Sequence, residues 1–355
     1  MSRFWSPLVH QLTPYVPGEQ PRTPGLIKLN TNELPYGPSP RALKAMRDAA
    51  DDTLRLYPDP VSLSLRTALG KRVGLPADHV FVGNGSDEVL AHAFQAFFAH
   101  KAPLLFADVT YSFYKVYCEL YRLPYQTVAL DETMQVQIED YNQPCSGVVL
   151  ANPNAPTGIA LGLDKIRQLL EMHPDRVVLV DEAYVDFGAE SAASLVKEYA
   201  NLLVVQTFSK SRALAGIRVG FAFASPELIE GLTRVKDSFN SYPLDRIAQA
   251  GAQAAAEDEA WFCEHVEKVK ASRERLSAGL AALGFSILPS QANFVYIHHA
   301  DRSAARIASD LREHAVIVRH LKGERTADWL RVTIGTDQQC DVLLSVLRDI
   351  LLRND

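Results

Sequence analysis

What this 355-residue sequence lacks narrows its chemistry before any motif is considered. Lysine and arginine number 36 against 42 aspartates and glutamates, a net charge of -6, so no basic excess is available to hold a polyphosphate backbone. Nucleic acid is therefore not expected as a partner. Cysteine is scarce: Cys118, Cys145, Cys263 and Cys340 are far apart with no C-x-x-C pair, which argues against a zinc ribbon or a disulfide framework. No stretch approaches the roughly 20 uncharged apolar residues of a membrane helix, and the first twenty residues carry no continuous apolar segment of a secretory signal. No membrane partner is expected, and the expected location is the cytoplasm. Histidines, including His298, His299 and His320, show no H-E-x-x-H or related spacing, so no metal site is expected. A G-x-S-x-G elbow, a complete dinucleotide fingerprint and a P-loop are also missing.

What is present describes a globular chain. Hydrophobic residues make up 47% and charged residues 22%. The length exceeds the roughly 250 to 300 residues at which one core stops growing, so a large domain plus a smaller one is expected. Proline and turn residues crowd the first 45 positions, notably NTNELPYGPSP, and read as an arm, with regular structure beginning at Pro40. Short apolar runs follow at 79–82, 147–152, 176–180, 202–206 and 218–224, separated by the helical spacings of DEVLAHAFQAFF, DKIRQLLEM and ASLVKEYA. Strands apolar on both faces and separated by helices predict an α/β fold with a mostly parallel sheet covered by helices. The stretch 245–282 reads as a connecting helix, and FSILP, NFVYIHH, AARIASDLREHA, VIVRHL, WLRVTIG and VLLSVLRDILL as a smaller α/β domain. The expected division is 1–45 as an arm belonging to the small domain, 46–250 as the large domain and 251–355 as the small one.

Three strand ends carry chemistry. VVLVDEAYVDF ends an apolar run in Asp181 and Glu182, and ligands in such sheets bind beyond the carboxyl ends of strands. An acid in that position is more often a helix cap or a solvated loop residue, but the neighbouring run LLVVQTF leads into Ser209 and Lys210, with Arg218 following. A lysine there, desolvated or near other cations, becomes a nucleophile able to form a Schiff base. HVFVGNGSDEVL turns through glycines into a helix start whose free N–H groups at Ser86 and Asp87 suit one phosphate better than a nucleotide. A lysine, a carboxylate and a phosphate cradle together suit pyridoxal phosphate.

These motifs carry a resemblance. NPNAPTG at 152–158, DEAYVDF at 181–187 and SKSRALAGIRVG at 209–220 resemble the fold type I pyridoxal-phosphate enzymes of the aminotransferase class I/II superfamily. NTNELPYGPSP with RLYPDP narrows the likeness to the histidinol-phosphate aminotransferase family, over about residues 28–335. The resemblance implies that Lys210 carries the cofactor, Asp181 keeps its ring nitrogen protonated and Tyr184 hydrogen-bonds its phenolic oxygen. It implies that Tyr111 stacks on the ring and that Ser86, Asp87, Ser209 and Arg218 bind the phosphate. Tyr57 would reach the phosphate of the partner subunit in a homodimer. Arg331 and Arg319 would take substrate anions, with Asn32 and Tyr36 closing from the arm. One position departs from the family pattern: Ala155 stands where an asparagine usually bonds the phenolic oxygen, which leaves Asn154 or Asn152 to supply the amide.

The implied reaction is transamination of L-histidinol phosphate, a small-molecule amino donor, with the 2-oxo acid 2-oxoglutarate. The alternatives on the same fold are transamination of aromatic amino acids and decarboxylation of threonine phosphate. Outside enzymes, the GNGSDE turn would also serve a noncatalytic anion-binding module.

Overall fold

A computed structural model describes residues 2–21 and 24–352. The first strand, β1 (Ile27–Leu29), lies within the arm, ahead of the expected onset of structure at Pro40. Three residues are too few for a strand periodicity to be visible; β1 forms by parallel pairing with a strand near the far end of the chain.

The larger sheet contains β2 (Val80–Asn84), β3 (Leu104–Ala107), β4 (Tyr125–Val128), β5 (Gly147–Ala151), β6 (Val177–Asp181), β7 (Leu202–Thr207) and β8 (Val219–Ala224). Their order is β2-β8-β7-β6-β5-β3-β4, and β8 alone runs against its neighbours. The five apolar runs are all strands, whereas β3 and β4 are further strands that the sequence reading passed over. Alternate residues of the central strands feed two cores: Val148, Val178 and Val204 face one, and Val149, Leu179 and Leu203 face the other. A strand buried on both faces has no polar side to display, which is why these runs are apolar throughout.

Helices Gly85–Phe97 and Leu163–Met172 match the expected spacings, but ASLVKEYA does not form a helix. Only a 3-10 turn, Ala192–Leu195, is found there, begun by Ser191, whose hydroxyl accepts from Ala193 N. The stretch read as one connecting helix is two, Arg246–Glu257 and Glu259–Ala282, broken at Asp258. Ala248 and Ala252 of the first join Ala42 in a core of the large sheet, while Val266, Val269 and Leu276 of the second lie in the small domain's core. The expected limits at 45/46 and 250/251 therefore cut the helices Pro40–Asp48 and Arg246–Glu257, both of which pack on the large sheet. The change of core falls at Asp258.

The smaller sheet adds β9 (Phe285–Ile287), β10 (Phe294–His299), β11 (Val316–His320) and β12 (Trp329–Thr333), in the order β1-β11-β12-β10-β9. Helices Ala304–Glu313 and Asp337–Leu352 pack against it. Among the described residues, no helix is long and apolar enough to cross a membrane, and no group of three His, Cys, Asp or Glu side chains could hold a metal ion. Because β2, β5, β6 and β7 run in one direction, their carboxyl ends open on one edge, and the arm and small sheet close over it.

Candidate active site

A cavity of about 330 Å³ lies on that edge, and its lining gathers residues that are distant in the chain. The large domain contributes Ser86, Asp87, Tyr111, Asp181, Tyr184, Ser209, Lys210 and Arg218; the arm contributes Asn32, and the small sheet Arg319 and Arg331.

One end is built for an anion. The helix Gly85–Phe97 has no side-chain cap, so the N–H groups of its first turn are left for a ligand. Gly85 has φ +81, and a Cβ on it would lie 2.5 Å from Arg218 Nη2, so only glycine lets the guanidinium settle over the helix start. A Cβ on Gly220 would come within 2.2 Å of Ser86 N, so glycine is also what lets β8 approach this turn. Arg218 Nη2 lies 3.2 Å from Asp87 Oδ2, and Tyr111 Oη donates to Asp87 Oδ1 at 3.1 Å, so the carboxylate holds both side chains at the mouth of the cradle.

The middle holds Lys210 and Asp181, the expected nucleophile and acid. Beyond β7, Thr207 Oγ1 accepts from Ser209 N at 3.1 Å and donates to Ser209 Oγ at 3.0 Å, which fixes the turn presenting Lys210. Lys210 Nζ donates to the Thr31 carbonyl at 3.2 Å and sits 5.6 Å from the Tyr184 ring centroid. Asp181, at the end of β6, is buried; Tyr114 Oη donates to its Oδ2 at 2.8 Å and Ala183 N to its Oδ1 at 3.2 Å. Desolvation pushes its pKa up to about 6, against the lowering effect of those two bonds. A cationic ring nitrogen beside it would offset the desolvation and restore the carboxylate.

The opposite wall carries two guanidinium groups. Arg331 on β12 pairs in register with Arg319 on β11. Arg331 Nη2 donates to the Asn30 carbonyl at 2.9 Å, while its buried Nε has no partner among the described residues. Burial lowers its pKa, and Arg319, of like sign, lowers it further. A desolvated cation without an ion pair among the described residues is costly unless an anion arrives to meet it.

Three assigned residues stand apart from this lining. Tyr57 is 77% exposed and stacks on Tyr242 with centroids 4.6 Å apart. Tyr36 packs 5.1 Å from His265, in the small domain's core. The amide role expected of Asn154 is not available. Its Nδ2 donates to the Val109 carbonyl at 2.9 Å and to Thr157 Oγ1 at 3.1 Å, and its Oδ1 accepts from Thr110 Oγ1 at 2.8 Å. Asn152 is likewise engaged, with the Leu161 N–H and carbonyl, and Ala155 itself lines the cavity. Tyr114 and Thr207, which organise Asp181 and the lysine turn, gave no signal in the sequence beyond apolar periodicity and strand position.

The chain matches the sequence model for aminotransferase class I and II over residues 24–347. It is 73% identical to a histidinol-phosphate aminotransferase of Acetobacter pasteurianus, covering 100% of this chain and 99% of the relative. It is 61% identical to one of Gluconacetobacter diazotrophicus, with the same coverage. In fold it is similar to the histidinol-phosphate aminotransferase of Sinorhizobium meliloti in complex with pyridoxal-5'-phosphate, with a TM-score of 0.86, 24% identity and 99% of each chain covered.

Proposed function

The chain belongs to the aminotransferase class I and II family, and we propose that it moves the amino group of L-histidinol phosphate to 2-oxoglutarate in histidine biosynthesis, giving imidazole acetol phosphate and glutamate. The observation that carries this substrate is Arg331. A half-buried arginine with a buried, unpartnered Nε, in register with Arg319 and with no ion pair among the described residues, opens on the cavity that holds Lys210. A substrate with an amine at one end and a phosphate at the other meets both.

The residues fit pyridoxal phosphate: an uncapped helix start under Arg218, a lysine at mid-cavity and a buried carboxylate in need of a cation. When bound, this cofactor supplies a carbonyl that condenses with amines and a ring that takes up the electron pair left when a proton leaves the substrate Cα. Lys210 Nζ would hold the cofactor's carbonyl carbon and, when free, would take the Cα proton and return it. Asp181 would keep the ring nitrogen protonated, a preorganised charge that favours proton loss at Cα. Tyr184 Oη would donate to the phenolic oxygen, and Tyr111 would cover the ring and exclude water. Ser86 and Asp87 N–H groups, Ser209 and Arg218 would bind the cofactor phosphate. Arg331 and Arg319 grip the substrate phosphate, and the same guanidinium groups receive a carboxylate of 2-oxoglutarate in the second half of the cycle. Asn32 lines this side from the arm.

The same reading makes the enzyme a cytoplasmic homodimer. Its four thiols are unpaired, which suits a reducing compartment. Tyr57 is exposed, as are Leu54 and Leu56 near it in sequence, as expected if it completes the phosphate site of a second subunit.

Loaded enzyme offered histidinol phosphate, phenylalanine, tyrosine, glutamate and threonine phosphate in single half-reactions tests the assignment. Conversion to the aminated cofactor should be fastest per unit concentration with histidinol phosphate. Preference for an aromatic amino acid, or release of carbon dioxide from threonine phosphate, would reassign the reaction.

A further inference from the structure

Asn32 is 1% exposed and has φ +55, a backbone region that asparagine tolerates better than most residues. Three bonds hold it there. Its N–H donates to Thr333 Oγ1 at 3.0 Å, Thr333 Oγ1 donates to Asn32 Oδ1 at 2.9 Å, and Asn293 Nδ2 donates to the Asn32 carbonyl at 3.0 Å. The Thr333 hydroxyl has one hydrogen, and in its buried position Oδ1 is the acceptor that uses it. Turning the amide over would strand that hydrogen, at the cost of an unpaired buried donor. Nδ2 is therefore the atom that faces Tyr184, and it donates to Tyr184 Oη at 3.0 Å.

This has a consequence for the tyrosine. A phenol hydroxyl also has one hydrogen, and with Oη accepting from Asn32 that hydrogen must point elsewhere. Tyr184 Oη has no acceptor among the described residues, and the residue lines the cavity. We propose that Asn32, oriented by Thr333, is a positioning residue that keeps the Tyr184 hydroxyl hydrogen directed into the cavity, toward the oxygen of the bound cofactor. The proposal rests on the reading of the cavity as a pyridoxal phosphate site. It matters more here than a shared contact would, because Ala155 offers no amide and those of Asn152 and Asn154 are engaged elsewhere. A hydrogen bond to an oxyanion favours its ionised form, so directing this one hydrogen tunes the ionisation of the bound cofactor.

The test is a pH titration of the visible absorption of the loaded full-length protein, with circular dichroism and cofactor content confirming folding and loading. Asn32→Asp keeps the shape but presents an acceptor to Tyr184, drawing the hydrogen out of the cavity. Thr333→Val removes the orienting hydroxyl without changing charge. The titration midpoint should rise by about one pH unit in Asn32→Asp, in the direction of Tyr184→Phe, and by less in Thr333→Val. In a Tyr184→Phe background the Thr333→Val shift should vanish, since that variant changes no charge and acts only through the Tyr184 hydroxyl. Midpoints equal to wild type in both single variants, or a Thr333→Val shift that persists without the Tyr184 hydroxyl, would overturn the proposal. A wild-type protein with no visible band would instead overturn the cofactor reading on which it rests.

Discussion

The two walls of the cavity handle their polar groups differently. On the large-sheet wall nearly every group is already engaged: Asp181 by Tyr114 and Ala183, Ser209 by Thr207, Asn154 by three partners. On the wall made by the arm and small sheet, Asn30 Oδ1 and Arg331 Nε are buried without partners among the described residues. Internal saturation suits a resident group that needs a rigid seat, and unused hydrogen-bonding capacity suits a ligand that comes and goes. The contrast fits the proposed division of one cavity into a cofactor side and a substrate side.

Removing the central group from the saturated wall should have the largest effect. Lys210→Ala should lower turnover by at least about 10⁴-fold if, as proposed, one amine serves as tether and as acid and base. The visible absorption of the loaded protein should vanish with it, which spectrophotometry of the purified variant checks. Arg331→Ala comes next and probes the opposite wall: KM for histidinol phosphate should rise about 10²-fold, as for loss of one partner of a buried charged pair. Cofactor affinity should stay within about threefold of wild type. Equal losses of substrate and cofactor affinity in titrations would dissolve the distinction between the walls.

The smallest effect lies behind the saturated wall. Glu182 is buried and accepts from Ser191, Ala192 and Gln206, yet desolvation pushes its pKa up to about 7. A carboxyl whose folded pKa is raised gives its full stability below its unfolded pKa and loses it as pH rises through the folded value. Between about pH 4.5 and 7 this should remove on the order of 3 kcal/mol. Melting of the cofactor-free protein should therefore be less pH-dependent in that window for Glu182→Gln, and an unchanged slope would assign the dependence to other groups.

The parts of the site legible in the sequence all lie where an apolar strand stops. Asp181 ends β6, and Ser209 with Lys210 and Ser86 come just after β7 and β2; the apolar runs that mark these strands are long enough to see. The four-residue strands β3 and β4 are too short to announce themselves, and β1 exists only through its pairing with β11. ASLVKEYA has helical spacing but forms only a 3-10 turn, because local periodicity does not report what a segment packs against. Asn154 is next to the motif position that an amide would fill, yet its hydrogen bonds turn it toward Val109 and Thr157.

By itself, then, the sequence determined the α/β class, the family, and which strand ends bring Asp181, Lys210 and the Ser86 turn to the proposed site. These are local matters: each depends on a few consecutive residues and the strand or helix they terminate. Only the tertiary structure decided that Tyr114 supports Asp181, that Arg331 lines the cavity with an unpartnered Nε among the described residues, and that Asn32 meets Tyr184. Those relations join residues far apart in the chain, where hydrogen-bond geometry and burial, which no spacing encodes, set which group donates and which charge is left unmatched.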